Sequence, residues 1–122
     1  MPATKPNETD ARRDLIKGTL GTMILKTISA SPMHGYGIMK RIESVSGDVL
    51  GVEEGSLYPA LHRLEKRGYI EADWKQTETG RRAKFYALTR TGKSRLNEEL
   101  DSWAAVSGAV TKVLTSSRVL GA

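Results

Sequence analysis

Cysteine is absent from this 122-residue sequence, which excludes disulfides and Cys-based zinc sites. Histidine is scarce. His34 and His62 are the only two, far apart and without clustered carboxylates, so no metal site is expected. Long apolar runs are missing as well. A membrane span needs about 20 apolar residues, and the best stretch, around Leu20–Leu25, is interrupted by Gly21 and Thr22. The opening residues MPATKPNETDARRD hold no apolar segment of the secretory kind. These absences predict a cytoplasmic protein with no membrane partner. Catalytic signatures are lacking too: there is no phosphate loop, dinucleotide fingerprint or nucleophile–base arrangement. Glu53-Glu54 and Glu98-Glu99 are paired acids with no partner base or apolar pocket to shift them. Neither an enzyme nor a cofactor is expected.

What is present fits one domain with a modest core. Hydrophobic residues make up 39% and charged residues 27%, ordinary values for a globular chain. The informative property is where the charge sits. Gly55 to Arg95 carries ten Lys or Arg against four Asp or Glu, a net of +6, whereas the whole chain is only +5. Such concentration on one small unit is the electrostatic footprint of a nucleic-acid-binding surface. A solvated basic face is the plainer alternative.

Residues 1–12, rich in Pro, Thr, Asn and charge, read as a flexible N-terminal tail. From Asp14 to Ser29, Ile16, Leu20, Ile24 and Ile28 recur every four positions and predict one helix with a buried stripe. A second helix follows His34-Gly35, with Ile38, Ile42 and Val45 on its inner face, and Ser46-Gly47-Asp48 stops it. Val49–Glu54 reads as a minimal strand or an extended link. A third helix is expected to begin at Ser56, whose hydroxyl can cap the first turn, with Pro59 tolerated in that turn. Leu57, Leu61 and Leu64 form its core stripe, and Gly68 suits its end. Tyr69–Lys75 and Ala83–Leu88 then read as hairpin strands around the polar segment Gln76–Arg82. Thr91 to Ser116 reads as a long final helix. The expected organisation is a tail at 1–12, a winged helix-turn-helix at 13–90, a C-terminal helix at 91–116 and a second tail at 117–122. The fold class is mainly α with a small β-hairpin.

In a winged helix-turn-helix the third helix enters the DNA major groove and the hairpin lies against an adjacent groove or the backbone. With Leu57, Leu61 and Leu64 turned inward, Pro59, His62, Arg63 and Lys66 face outward and Tyr58 lies at the flank. Arg63 can pair with guanine, while His62 or Tyr58 can reach a base edge or phosphate. Ser56 and the first-turn amides suit a phosphate, and Lys66 suits the backbone. Arg81, Arg82 and Lys84 beside Gly80 fit a wing that tracks phosphates. The bland readings are a basic surface helix and a charged edge that discourages strand aggregation. Trp74, ending the first hairpin strand, reads as packing, and His34 as shaping the turn into the second helix.

The segments HGYGIMKRIE, GSLYPALHRLEKRGYIEADW and GRRAKFYALTRTGKSRL, in this order and spacing, resemble PadR-like transcriptional regulators. The resemblance covers roughly residues 14–97. It implies a winged-helix repressor that dimerises through its C-terminal helix on a partly palindromic operator. It maps the recognition helix to Ser56–Gly68 and the wing to Gln76–Lys84. Double-stranded operator DNA and a second copy of the chain are the implied partners.

The last helix points the same way on its own terms. Leu96, Leu100, Trp103, Val110 and Leu114 give more apolar surface than one small core can cover, so a dimer interface is expected. Folding back onto its own domain is the alternative. Trp103 carries two readings. It packs the dimer core, or, as in some small PadR-like members with a short C-terminal helix, it stacks a flat aromatic effector at the dimer centre. Two rival functions remain open at this point: a winged-helix protein-interaction module, and a ligand sensor released from DNA by its effector.

Overall fold

The chain's helices begin at Pro6 in a computed structural model that describes residues 6–117. Helix α1 spans Pro6–Lys17 and α2 spans Leu20–Ile28. A two-residue strand β1, Met33–His34, leads into α3, Gly35–Val45, and α4, Glu54–Lys66. Strands β2, Ile70–Gln76, and β3, Arg82–Leu88, form the hairpin, and α5 runs from Arg90 to Thr115. The sheet is antiparallel in the order β1-β3-β2. This is the winged-helix architecture with a long C-terminal helix, as expected.

Two expectations for the N-terminal part need correction. The segment read as a tail through residue 12 is helical from Pro6; proline suits a first helical position because no N–H is needed there. Arg13 then ties α1 to Glu53 through a 3.3 Å ion pair. The single helix expected from Asp14 to Ser29 is instead divided at Gly18-Thr19. The Thr19 hydroxyl and amide both donate to the Ile16 carbonyl, at 3.1 and 3.0 Å, which tightens the chain and ends α1. Leu15 is consequently exposed, and the buried stripe runs only through Leu20, Ile24, Leu25 and Ile28. Residues 1–5 and 118–122, with most of the second expected tail, lie outside the described residues.

The core joins α2 to Ile38 and Ile42 of α3, Leu57, Ala60, Leu61 and Leu64 of α4, Ile70 and Tyr86 of the sheet, and Leu96 of α5. Val45, expected on the inner face of α3, is exposed because that helix ends as it leaves the core. Val49–Glu53 contains no strand. Leu50 and Val52 pack partly against the core, and the Ser46 hydroxyl accepts from the Leu50 amide at 3.0 Å.

Helix α4 starts two residues before the expected Ser56 cap. Glu53 is the capping residue by backbone geometry alone, and its carbonyl accepts from Ser56 and Leu57 at 3.0 and 2.9 Å. Carboxylates at Glu53 and Glu54 favour a start there because the helix N-terminus is electropositive. Ser56 therefore does not cap, and Pro59 falls in the second turn, where it has no amide to donate to the Gly55 carbonyl. The other end matches expectation. Gly68, at φ +80°, lets the Tyr69 amide reach the Leu64 carbonyl and its own amide reach Glu65, both at 3.0 Å.

Candidate nucleic-acid interface

Alternation along the hairpin determines which side chains meet α4. In the β2–β3 register Ala72 opposes Tyr86, Trp74 opposes Lys84, and Gln76 opposes Arg82. Residues two apart share a sheet face, so Arg82, Lys84 and Tyr86 form one row. Tyr86, at the base, is buried against the core. Lys84, one step out, reaches Glu65 of α4 at 3.8 Å and lies 5.9 Å from the Tyr86 ring. Arg82, nearer the tip, lies over Trp74 at 5.8 Å. Burial pushes the Tyr86 phenol up from its ordinary pKa, and the negative charge of Glu65 adds to the shift.

Between α4, the start of α3 and this face of the hairpin runs an open groove of about 500 Å³. Tyr36, Tyr58, His62, Glu65, Trp74 and Lys84 are among its lining. Its floor depends on the HGYG turn. His34 caps α3 by accepting the Gly37 amide on Nδ1 at 3.1 Å, and its ring meets Phe85 edge-on at 5.2 Å. Tyr58 lies across the bare Cα of Gly35, where any Cβ would come within 2.8 Å of the phenolic oxygen. That close approach fixes α4 against α3 and sets the direction of the tyrosine.

Of the expected residues, the structure brings Tyr58, His62 and Lys84 together in this groove. Tyr58, Pro59, His62, Arg63 and Lys66 are exposed along α4, and Arg81 and Arg82 are exposed at the hairpin turn. Among the described residues, Arg63, Lys66 and Arg81 form no ion pair. Lys84 differs because Glu65 holds it. Ser56 is half-buried in the first turn. Trp74 corrects the packing expectation: it is 55% exposed, because position 74 has moved beyond the part of the hairpin that touches the core. Sequence reasoning also missed Tyr36, exposed on α3 with Lys40 5.6 Å over its ring, and Glu65. The strand alternation Ile70, Ala72, Trp74 was the signal that would have placed Trp74 on the groove side.

Helix α5 divides into two parts. Its start is anchored: Thr89 accepts the Gly92 amide at 3.0 Å and donates to the Gly68 carbonyl at 2.6 Å. About two turns on, Glu99 accepts from Thr22 of α2 at 2.7 Å and from Arg95 at 2.6 Å. Leu96 is 4% exposed in the chain's own core, which corrects its assignment to a dimer seam. Beyond Leu100 no described residue of α5 is buried. Trp103, Val106, Val110, Val113 and Leu114 are all exposed. Val106 and Val113 were missed because the 4-3 spacing from Leu96, Leu100 and Trp103 was carried on through Ser107 to Val110 and Leu114; Trp103, Val106, Val110 and Val113 follow a 3-4-3 spacing.

The profile of the "Transcriptional regulator PadR-like family" matches residues 24–98. The chain is similar to a transcriptional regulator of Clostridium thermocellum, with a TM-score of 0.74 at 30% identity, covering 81% of this chain and 96% of that one. It is also similar to a PadR-like transcriptional regulator of Bacillus cereus, with a TM-score of 0.72 at 33% identity, covering 84% and 98%. In sequence it is 35% identical over 95 residues to "Uncharacterized protein X" of Lysinibacillus sphaericus, covering 78% of this chain and 87% of that protein.

Proposed function

Because the chain belongs to the PadR-like family of transcriptional regulators, we propose that it represses transcription as a homodimer bound to a partly palindromic operator. The exposed row Tyr58, His62, Arg63 and Lys66 on α4, beside the hairpin cations Arg81 and Arg82, carries this reading. Arg63 supplies a bidentate donor for guanine in the major groove, and His62 and Tyr58 contact neighbouring base edges or phosphates. Arg81 and Arg82, on a short turn free of core packing, neutralise phosphates beside the α4 site. Lys66 does the same at the end of the helix.

The dimer is supported by the outer half of α5. A 26-residue helix is about 39 Å long, and its distal part offers an apolar seam that no other described element covers. Contiguous apolar surface of this kind marks an interaction site, and an identical helix is the partner with matching spacing. A two-fold pair would present two α4 helices to one side of the duplex.

Selection of bound duplexes from a random pool tests the reading. Enrichment of a sequence with two-fold symmetry is expected. No enrichment over the starting pool would sink the proposal in favour of a protein-interaction module.

A further inference from the structure

Among the described residues, Glu65 is the one acidic side chain lining the groove between α4 and the hairpin. On the DNA-binding reading it stands where phosphates pass, so a carboxylate there is costly unless it does something. Its neighbours show what. The Leu57, Leu61 and Leu64 stripe turned inward leaves Glu65 on the flank of α4 that looks at the hairpin, one helical turn from His62. Lys84 opposes Trp74 on the hairpin face directly across the groove, and the two charges meet at 3.8 Å. The pair is half-exposed, with 40% of the Lys84 and 35% of the Glu65 side chain accessible. Among the described residues, Arg82, two residues along the same row, and Arg81 at the turn carry no such acidic partner.

We propose that Glu65 is a positioning residue that holds Lys84 away from the phosphate backbone, limiting sequence-independent affinity for DNA. This rests on the DNA-binding reading and deepens it. Non-specific binding comes almost entirely from cations that neutralise phosphates, whereas specific binding adds base contacts. Withdrawing one cation from the hairpin takes about one phosphate contact's worth of affinity from binding to any duplex, operator or not. Base contacts, which discriminate between sequences, are left untouched. The hairpin thus divides its charge: Arg81 and Arg82 engage phosphate, and Lys84 braces the hairpin on α4.

The test is the salt dependence of binding to a mixed-sequence 30-base-pair duplex by the full chain. Each phosphate contact contributes about −0.9 to the slope of log affinity against log salt. The nearly isosteric Glu65→Gln variant should therefore steepen the slope by about 0.9 per subunit. From 50 to 200 mM salt, that is an extra ~3.5-fold loss of affinity for each freed lysine. At low salt its affinity for this duplex should exceed that of the unaltered protein. Adding Lys84→Ala to Glu65→Gln should return the slope to the original value, and Lys84→Ala alone should barely change it. A merely structural Glu65 would move thermal stability and leave the slope alone. An unchanged Glu65→Gln slope, or a Lys84→Ala variant that loses a full contact by itself, would overturn this inference while leaving the DNA reading intact. No duplex binding by the unaltered protein at low salt would overturn both.

Discussion

Leu96→Ala separates the two halves of α5. Leu96 is 4% exposed in the core, whereas Leu114 near the far end is 78% exposed. Truncating a buried leucine costs about 2–5 kcal/mol, from lost transfer free energy and the cavity left behind. Leu96 borders a second open groove, lined also by Lys26, Leu88 and Leu100, so water and neighbouring side chains can partly fill the space. That places the expected loss at the lower end, about 2–3 kcal/mol. It should be the same at every protein concentration because the contacts are within one chain. Leu114→Ala should change the stability of a single subunit by no more than about 0.5 kcal/mol, as an exposed substitution does. Its effect should appear only where dimers are populated. Urea unfolding followed by circular dichroism across a hundred-fold range of protein concentration reads both. A Leu96→Ala chain as stable as the unaltered one would refute the division of the helix, as would a Leu96→Ala loss that vanishes on dilution.

Three further outcomes are expected. Arg63→Ala should reduce discrimination between the selected operator and a scrambled duplex by about 1–3 kcal/mol, while Arg81→Ala with Arg82→Ala should weaken binding to both and flatten the salt slope; competition binding distinguishes them, and full discrimination by Arg63→Ala would move the reading face elsewhere. Tyr86 has a pKa raised by burial and by Glu65, so its neutral phenol stabilises the fold below the ordinary value of about 10 and that contribution is lost as pH rises through the folded-state value; Tyr86→Phe should flatten the alkaline fall in stability above pH ~10, and an identical fall in both proteins would remove the argument. In a Trp74→Phe background, Trp103 emission should shift to longer wavelength as dimers dissociate on dilution; emission independent of concentration would exclude Trp103 from the interface, and a change on adding planar aromatic compounds at fixed concentration would support the effector reading.

The sequence was most legible where one physical signal dominated. The Leu57, Leu61 and Leu64 stripe placed the outward face of α4, and Gly68 marked its end through a backbone angle that few other residues adopt. The hairpin strands were found to within a residue. What was missed depended on contacts between distant segments. The break at Thr19 rests on a side chain bonding back to Ile16, which periodicity does not register. Strand β1 exists only because β3 accepts it, since two residues have no alternation of their own. Leu96 and Leu100 look alike as a pattern, yet the crossing of α5 over α2 buries the first and leaves the second at the edge. The Glu65–Lys84 pair, 19 positions apart, was hidden within a net charge that counted both as surface.

The claim that two copies read one duplex is tested most directly by hydroxyl-radical footprinting of the full chain on the selected operator. Two symmetry-related protected patches, about one helical turn of 10–10.5 base pairs apart, are expected, and they should appear and disappear together as protein is titrated. A single protected patch, or two that fill independently, would contradict a dimer that presents both α4 helices to the same face of DNA.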